Sequence, residues 1–298
     1  MRAELAQAIE LLRSDTPEDV ERALGMLRQT VFSFAMKLCG SGEAAEHVTK
    51  SVLHRGLRRL ADNEDASALA VWIYRVTCNR CWLVRQKGAG ERPVRLDNLL
   101  PGWSELGLLA ADSHPEKMVL SPEQQRLLEE AVLRLPARLR IALVLHDMEE
   151  LSTEEVAQVI GCQPRIVRGR LNRGRWMLRK DFSSLVQSRL QIERPVTKPV
   201  RRPEKRPAAC GEFLRQASEY VDGRLEPPGG ERMREHLAAC PDCQAFQGDL
   251  RASIERCRML QVQGPESARE RIRVLTRQYR RHRAAAGERK TPLAETAG

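Results

Sequence analysis

Apolar residues recur at helical spacing along much of the chain, and few β-branched or aromatic residues alternate with the period of a strand. Thr16-Pro17-Glu18-Asp19 reads as an N-cap, a proline at the first helical position and an acidic first turn. Val20, Leu24, Leu27, Val31, Ala35 and Leu38 follow on one face, and Gly40-Ser41-Gly42 ends that helix. A second helix begins near Glu43 with Val48, Val52, Gly56 and Leu60 inward. A third follows the polar loop Asp62-Asn63-Glu64-Asp65, with Leu69, Ile73, Val76 and Leu83 inward. The pattern breaks between about 88 and 122, resumes from about 123 to 185, and breaks again where Pro195, Pro199, Pro203 and Pro207 alternate with Lys and Arg. That second break cannot bury a core and is expected to be extended and solvated.

The stretch from Leu151 to Lys180 carries the most information. Ser152 and Glu155 form a capping box. Val156, Ala157 and Ile160 face inward, and Gly161 supplies a turn in which a positive φ costs little. Gln163 and Pro164 open a second helix with Val167, Leu171, Gly174 and Leu178 as its buried stripe. This is the helix-turn-helix plan, whose second helix enters the DNA major groove. From Gln163 to Lys180 the chain has six arginines and a lysine and no acid. Arg165, Arg168 and Asn172 are expected to reach base edges, where Arg suits guanine and Asn adenine. Arg170, Arg173 and Arg175 are expected on phosphates, which set register without reading sequence.

Composition narrows the classes. The 298 residues predict two or three domains. Aromatics are only 4%, so cores must be built from Leu, Val, Ala and Ile, which disfavours sandwiches and barrels. Fifty Lys+Arg against forty Asp+Glu give +10, which permits a polyanionic partner. No apolar run approaches the ~18 residues of a membrane span. The opening MRAELAQAIELLR lacks a signal peptide's apolar core, so a cytoplasmic location, no membrane partner and reduced thiols are expected. Eight cysteines then point to metal or redox chemistry rather than a disulfide framework.

His236, Cys240 and Cys243 form an H-x3-C-x2-C cluster: one helical turn separates the first two, and a tight turn with Pro241 the last two. Tetrahedral zinc needs a fourth ligand. Cys210 is the best candidate, with His282 and Cys257 as alternatives. Cys78 and Cys81 also form a C-x2-C, but mid-helix with no second ligand pair nearby in sequence, and are expected to be buried rather than metal-bound. Cys39 and Cys162 read as small hydrophobes.

Leu135-Pro136, LSTEEVAQVIG and Ile166-Val167-Arg168-Gly169-Arg170-Leu171 resemble region 4 of bacterial sigma factors of the extracytoplasmic-function (ECF) group of the sigma-70 family, with Ile166 and Gly169 in place of the usual Thr and Ser. Residues 17–88, through Ala70-Val71-Trp72-Ile73-Tyr74-Arg75-Val76 and Asn79, resemble region 2. The resemblance implies that this helix and the loop before it melt the minus-ten promoter element. Tyr74, Arg75, Asn79, Arg80 and Arg85 are then the expected DNA contacts, while Trp72 is expected in the core. It also implies that the surface around Glu46 and Lys50 binds the clamp helices of the polymerase β′ subunit. Of the family's acidic motif there only Glu46 survives, with Lys50 for Gln and Ser51 for Glu. Cys210 to Phe246 resembles the zinc-binding anti-sigma domain, with Cys210, His236, Cys240 and Cys243 as ligands.

The expected architecture is all-α. A region 2-like bundle (1–90), a linker (91–122), a helix-turn-helix domain (123–185), a Pro/Arg linker (186–208), a zinc-binding anti-sigma-like domain (209–250) and a basic, partly helical tail (251–298) follow in order. The leading expectation is a non-enzymatic sigma factor that binds promoter DNA and core RNA polymerase and carries one Zn2+, structural or redox-responsive. Its zinc domain is expected to contact the sigma domains in cis. The alternative is a stand-alone helix-turn-helix regulator without polymerase contact. A zinc enzyme is disfavoured, because no carboxylate stands two residues after His236 and no P-loop or nucleophile triad is present.

Overall fold

The computed structural model describes residues 3–14, 16–62, 65–85, 120–190, 207–260, 262 and 269–290. Among them are twelve α-helices, one π-helical turn and no strand, as the helical periodicity requires. Of the two expected linkers, residues 91–119 and 191–206 lie outside the described residues, and 186–190 belong to the helix Pro164–Leu190 rather than to a linker. The chain forms two compact units, one of Met1–Ala89, Glu149–Gly161 and Gln261–Gly298, the other of Gly90–Met148 and Cys162–Leu260. These units cut across the boundaries drawn from composition, because the packing that defines them joins segments distant in sequence.

The first unit contains α1 (Ala3–Leu11), α2 (Pro17–Cys39), α3 (Gly42–Asp62), α4 (Ala66–Arg85), α7 (Thr153–Ile160) and α12 (Arg269–Lys290). The local signals operate as read. The Thr16 side chain accepts from the Asp19 amide, Pro17 stands in the first turn, and Gly40 closes α2 with φ 73°. Leu24, Leu27, Val31, Phe34, Val48, Leu57, Leu69 and Ile73 are buried among α1–α4. The side chain of Leu83 is outside the described set. Helix α12, in the expected basic tail, packs on α2 and α3. The Tyr279 hydroxyl donates to the Leu12 carbonyl at 3.0 Å. Arg283 donates to the carbonyls of Leu12, Arg13 and Ser14, each at 2.9 Å, satisfying groups that the end of α1 leaves orphaned. In the same unit α7 packs on α4.

The second unit contains α5 (Pro122–Arg134), α6 (Ala137–Leu143), the π-helical turn Val144–Met148, α8 (Pro164–Leu190), α9 (Ala208–Val221), α10 (Gly229–Ala239) and α11 (Pro241–Met259). Helix α11 passes position 250 without a break, so the expected end of the zinc domain falls inside a helix. Arg140 is buried and donates to the carbonyls of Val132, Leu133 and Leu135 at the end of α5. Gly174 lets α8 lie close to α6: an added Cβ would sit 3.5 Å from the Leu139 carbonyl oxygen. Trp176 of α8 joins one apolar cluster with Phe213, Leu214, Leu237, Phe246 and Leu250.

Candidate nucleic-acid surfaces and metal centre

Three helix ends build the metal centre. Cys210 lies in the first turn of α9, His236 in the last turn of α10, Cys240 at the junction of α10 and α11, and Cys243 in the first turn of α11. Their donor atoms all lie within 4.8 Å of one another. The Cys210 and Cys240 sulfurs are 3.8 Å apart, about the edge of a zinc–thiolate tetrahedron with ~2.3 Å bonds. The buried Nε2 of His236 has no hydrogen-bond partner. Burial, reinforced by the neighbouring Cys240 and Cys210, pushes the Cys243 thiol well above its ordinary pKa. Three crowded sulfurs and an orphaned imidazole nitrogen fit a soft divalent cation, since only such a charge lets these thiols ionise together. Of the fourth-ligand candidates the fold brings in Cys210. Cys257 is buried farther along α11 and His282 lies on α12, both outside the cluster. Cys78 and Cys81 are core residues of α4, and burial pushes the Cys78 thiol up.

Helix α8 starts at Pro164, after a capped α7 (Ser152 and Glu155 bonded reciprocally) and Gly161 at φ 67°. Arg165 is exposed on its first turn, and Arg168, Arg170, Asn172 and Arg173 are half-buried. Arg168, Asn172, Arg175 and Arg179 recur at spacings of three and four and share one stripe. Helices α9 and α11 occupy that stripe. Arg168 lies 3.9 Å from Glu219, and the Asn172 amide donates to the Arg215 carbonyl at 3.0 Å. Arg179 pairs with the buried Asp249.

Arg175, expected on a DNA phosphate, is instead only 2% exposed. Its Nε and Nη2 donate to Asp147 at 2.8 and 2.6 Å, Nη1 and Nη2 to Asp222 at 2.9 and 2.8 Å, and Nη1 to the Ser218 hydroxyl at 2.6 Å. Burial alone would push the Asp147 carboxyl up. The charge and hydrogen bonds of Arg175, with His146 adding, outweigh it and hold that carboxyl well below the usual range. The same balance raises the Arg175 pKa: desolvation opposes its charge, and Asp147 and Asp222 more than compensate. A guanidinium so held is a structural tie, which corrects its assignment as a phosphate contact.

Helix α4 holds a second buried candidate. Tyr74, expected to stack on bases, is 1% exposed. It meets the Phe34 ring edge-on at 4.9 Å, and its hydroxyl donates to Glu149 at 3.0 Å. The Arg75 guanidinium donates to the Gln158 carbonyl on α7. Asn79 is exposed and Arg80 half-buried, while the side chain of Arg85 lies outside the described set. Trp72 is half-buried beside Gly56, with Arg59 stacked over its ring at 5.5 Å. On α3, Lys50 is exposed, and Glu46 is bracketed by Arg28 at 2.7 Å and by Arg271 of α12. The partners Asp147, Glu149, Asp222 and Asp249 carry no signal of their role in the one-dimensional pattern, since the cations they meet lie 28 to 112 residues away.

Comparison with known proteins agrees with this layout. Residues 125–178 match the family described as "Sigma-70, region 4", and residues 210–244 match the "Putative zinc-finger" family. Over 166 residues the chain is 29% identical to the ECF RNA polymerase sigma-E factor of Salmonella typhimurium strain 14028s, covering 53% of this chain and 83% of that protein. It is 28% identical to the protein of the same name from Escherichia coli K12 over the same shares. The ECF RNA polymerase sigma factor SigE of Mycolicibacterium smegmatis is 31% identical over 150 residues, half of this chain and 56% of that one.

Proposed function

We infer that this chain, a sigma-70 family protein of the ECF type with a fused zinc-binding segment, acts by binding rather than catalysis. It directs core RNA polymerase to promoter DNA and is restrained by its own carboxy-terminal part in the cytoplasm. The observation that carries the restraint is the stripe on α8. Carboxylates of Glu219, Asp222 and Asp249 stand against Arg168, Arg175 and Arg179, where a recognition helix would meet a polyanion. Protein carboxylates and DNA phosphates recruit the same guanidinium groups. The zinc segment and duplex DNA therefore compete for one face of α8. When that face is free, Arg165, Arg168 and Asn172 read base edges and Arg170 and Arg173 hold phosphates. On the first bundle, Asn79, Arg80 and Arg85 track the promoter strand. The surface of Glu46 and Lys50 receives the β′ clamp, and α12 covers it by pairing Arg271 with Glu46.

Cys210, His236, Cys240 and Cys243 would hold one Zn2+, which would supply a structural cross-link between α9, α10 and α11. Cross-linking these short helices keeps Glu219, Asp222 and Asp249 in register with α8. The test is transcription in vitro with purified core polymerase, comparing the full chain with residues 1–190. Initiation by both, stronger with the shorter chain, is the expected result. Equal or weaker initiation by the shorter chain overturns the restraint. Bracketing of Glu46 by two arginines favours a second reading, a DNA-binding regulator without polymerase contact. Failure of both chains to co-purify with core polymerase would establish it.

A further inference from the structure

Glu149 and Lys37 are the most thoroughly buried oppositely charged pair of the first unit, with side chains 0% and 1% exposed and Lys37 Nζ 2.8 Å from Glu149 Oε1. The other carboxylate oxygen accepts from the Tyr74 hydroxyl at 3.0 Å. Three segments meet there: α2 through Lys37, α4 through Tyr74, and the strip that begins at Glu149 and runs into α7. Past Glu149 the strip stays seated. Leu151, Thr153 and Val156 are buried, and the Gln158 carbonyl accepts from Arg75. The backbone bends sharply just beyond the carboxylate, where Glu150 adopts φ 58°. That left-handed residue lets Glu149 point into the bundle while α7 lies along α4.

The chemistry of this contact differs from the rest of the core. An apolar pair of similar volume would hold the strip at least as firmly, because desolvating two charges consumes most of their attraction. A buried Lys–Glu pair that a tyrosine hydroxyl joins has another property. On separation both ions recover their hydration, whereas parted apolar surfaces remain costly. Such a contact is selective when shut and inexpensive to open. It also lies on the two α4 residues, Tyr74 and Arg75, whose types suit a single-stranded nucleic acid: an aromatic ring for a base and a guanidinium for the backbone.

We propose that Lys37, Tyr74 and Glu149 form a reversible clasp. Closed, it seats residues 149–161 on α4 and withholds Tyr74 from nucleic acid, while Arg75 beside it is exposed but engaged with the Gln158 carbonyl. Opened, it presents the Tyr74 ring and frees Arg75. The clasp does not depend on the function inferred above, but the identity of its competitor as promoter strand rests on that reading.

Hydrogen exchange on the full chain tests the clasp, and binding of a fluorescein-labelled single-stranded DNA oligonucleotide tests what it withholds. In Glu149→Gln the amides of α7 should exchange roughly 100-fold faster, the scale of a broken buried ion pair. The oligonucleotide should bind about tenfold more tightly, the scale of one base stacked on an aromatic ring. The double variant Lys37→Met/Glu149→Leu should keep α7 at least as protected as in the native chain and should bind the oligonucleotide no better. Unchanged α7 exchange in Glu149→Gln, or faster exchange in the double variant, overturns the clasp. Should Glu149→Gln lose its helical circular dichroism altogether, the double variant decides alone: protected α7 supports the clasp and exposed α7 overturns it. Faster α7 exchange without tighter oligonucleotide binding upholds the clasp and overturns the assignment of α4 as a nucleic-acid surface.

Discussion

Asp147 and Glu149 are separated by one residue, both are buried carboxylates, and they serve different units. Asp147 belongs to the second unit and is gripped by Arg175, which also holds Asp222 and Ser218. Glu149 belongs to the first and pairs with Lys37 and Tyr74. The contrast lies in the cation. A guanidinium offers a planar fork and bonds several acceptors at once, whereas an ammonium is a compact point charge. The Asp147 cluster is therefore distributed over α8, the π-helical turn and α9. The Glu149 cluster joins a point-charge ammonium and a phenol to one carboxylate, the contact proposed above as a clasp. A metal held by Cys210, His236, Cys240 and Cys243 would add a further cross-link to the second unit, while the first is held by apolar helix packing and by Tyr279 and Arg283 on the carbonyls that follow α1.

Four experiments break or sharpen this contrast. The largest effect is expected from metal removal. Chelation, or His236→Ala, should abolish protection of residues 207–260 in hydrogen exchange while α1–α4 keep theirs, because zinc contributes about 10–16 kcal/mol in small zinc modules. Retained protection there after chelation would refute a structural metal. Next is Asp147→Ala, which leaves the buried Arg175 with only part of its countercharge and should cost about 3–5 kcal/mol in denaturant unfolding of the second unit.

The same residue sets a pH dependence. Its folded pKa lies below its unfolded value, so its contribution is complete above the ordinary carboxylate range near pH 4 and fades as pH falls toward the folded value. The second unit should lose stability on acidification below about pH 4, and Asp147→Ala should flatten that loss. Equal acid sensitivity of variant and native chain would count against the tie. Smaller again is Asp222→Asn, which removes charge from one partner of Arg175 and should cost about 1.5–3 kcal/mol. Because Asp147 remains, it should loosen α9 from α8 without unfolding α5 and α6, as exchange of the separate helices would reveal. The smallest is Glu150→Gly. Glycine accepts φ 58° without steric penalty, so this change should stabilise the first unit by about 0.5–1 kcal/mol in thermal unfolding. A loss of stability would mean that the Glu150 side chain contributes more than the strain it carries.

Much of this protein can be read along one dimension. The Thr16 and Ser152 caps, the αL glycines Gly40 and Gly161, the Val167–Leu171–Gly174–Leu178 stripe and the His236–Cys240–Cys243 cluster are all local patterns. Spacing within a turn or two fixes which side chains share a face, and no distant partner is needed to see it. Tyr74 and Arg175 show the opposite case. Each has the residue type of a DNA contact, yet its environment is set by Glu149 and Phe34 in one case and by Asp147, Asp222 and Ser218 in the other.

Helix α12 shows the same division. Its sequence reads as a basic, partly helical tail, while its place on α2 and α3 depends on Tyr279 and Arg283 reaching carbonyls at the opposite end of the chain. Local periodicity dictates that a helix forms and which stripe is apolar. Which polar groups are desolvated, and against what, depends on long-range pairing. A buried ion pair is stable only when both halves arrive together, and neither half announces the other in the order of residues.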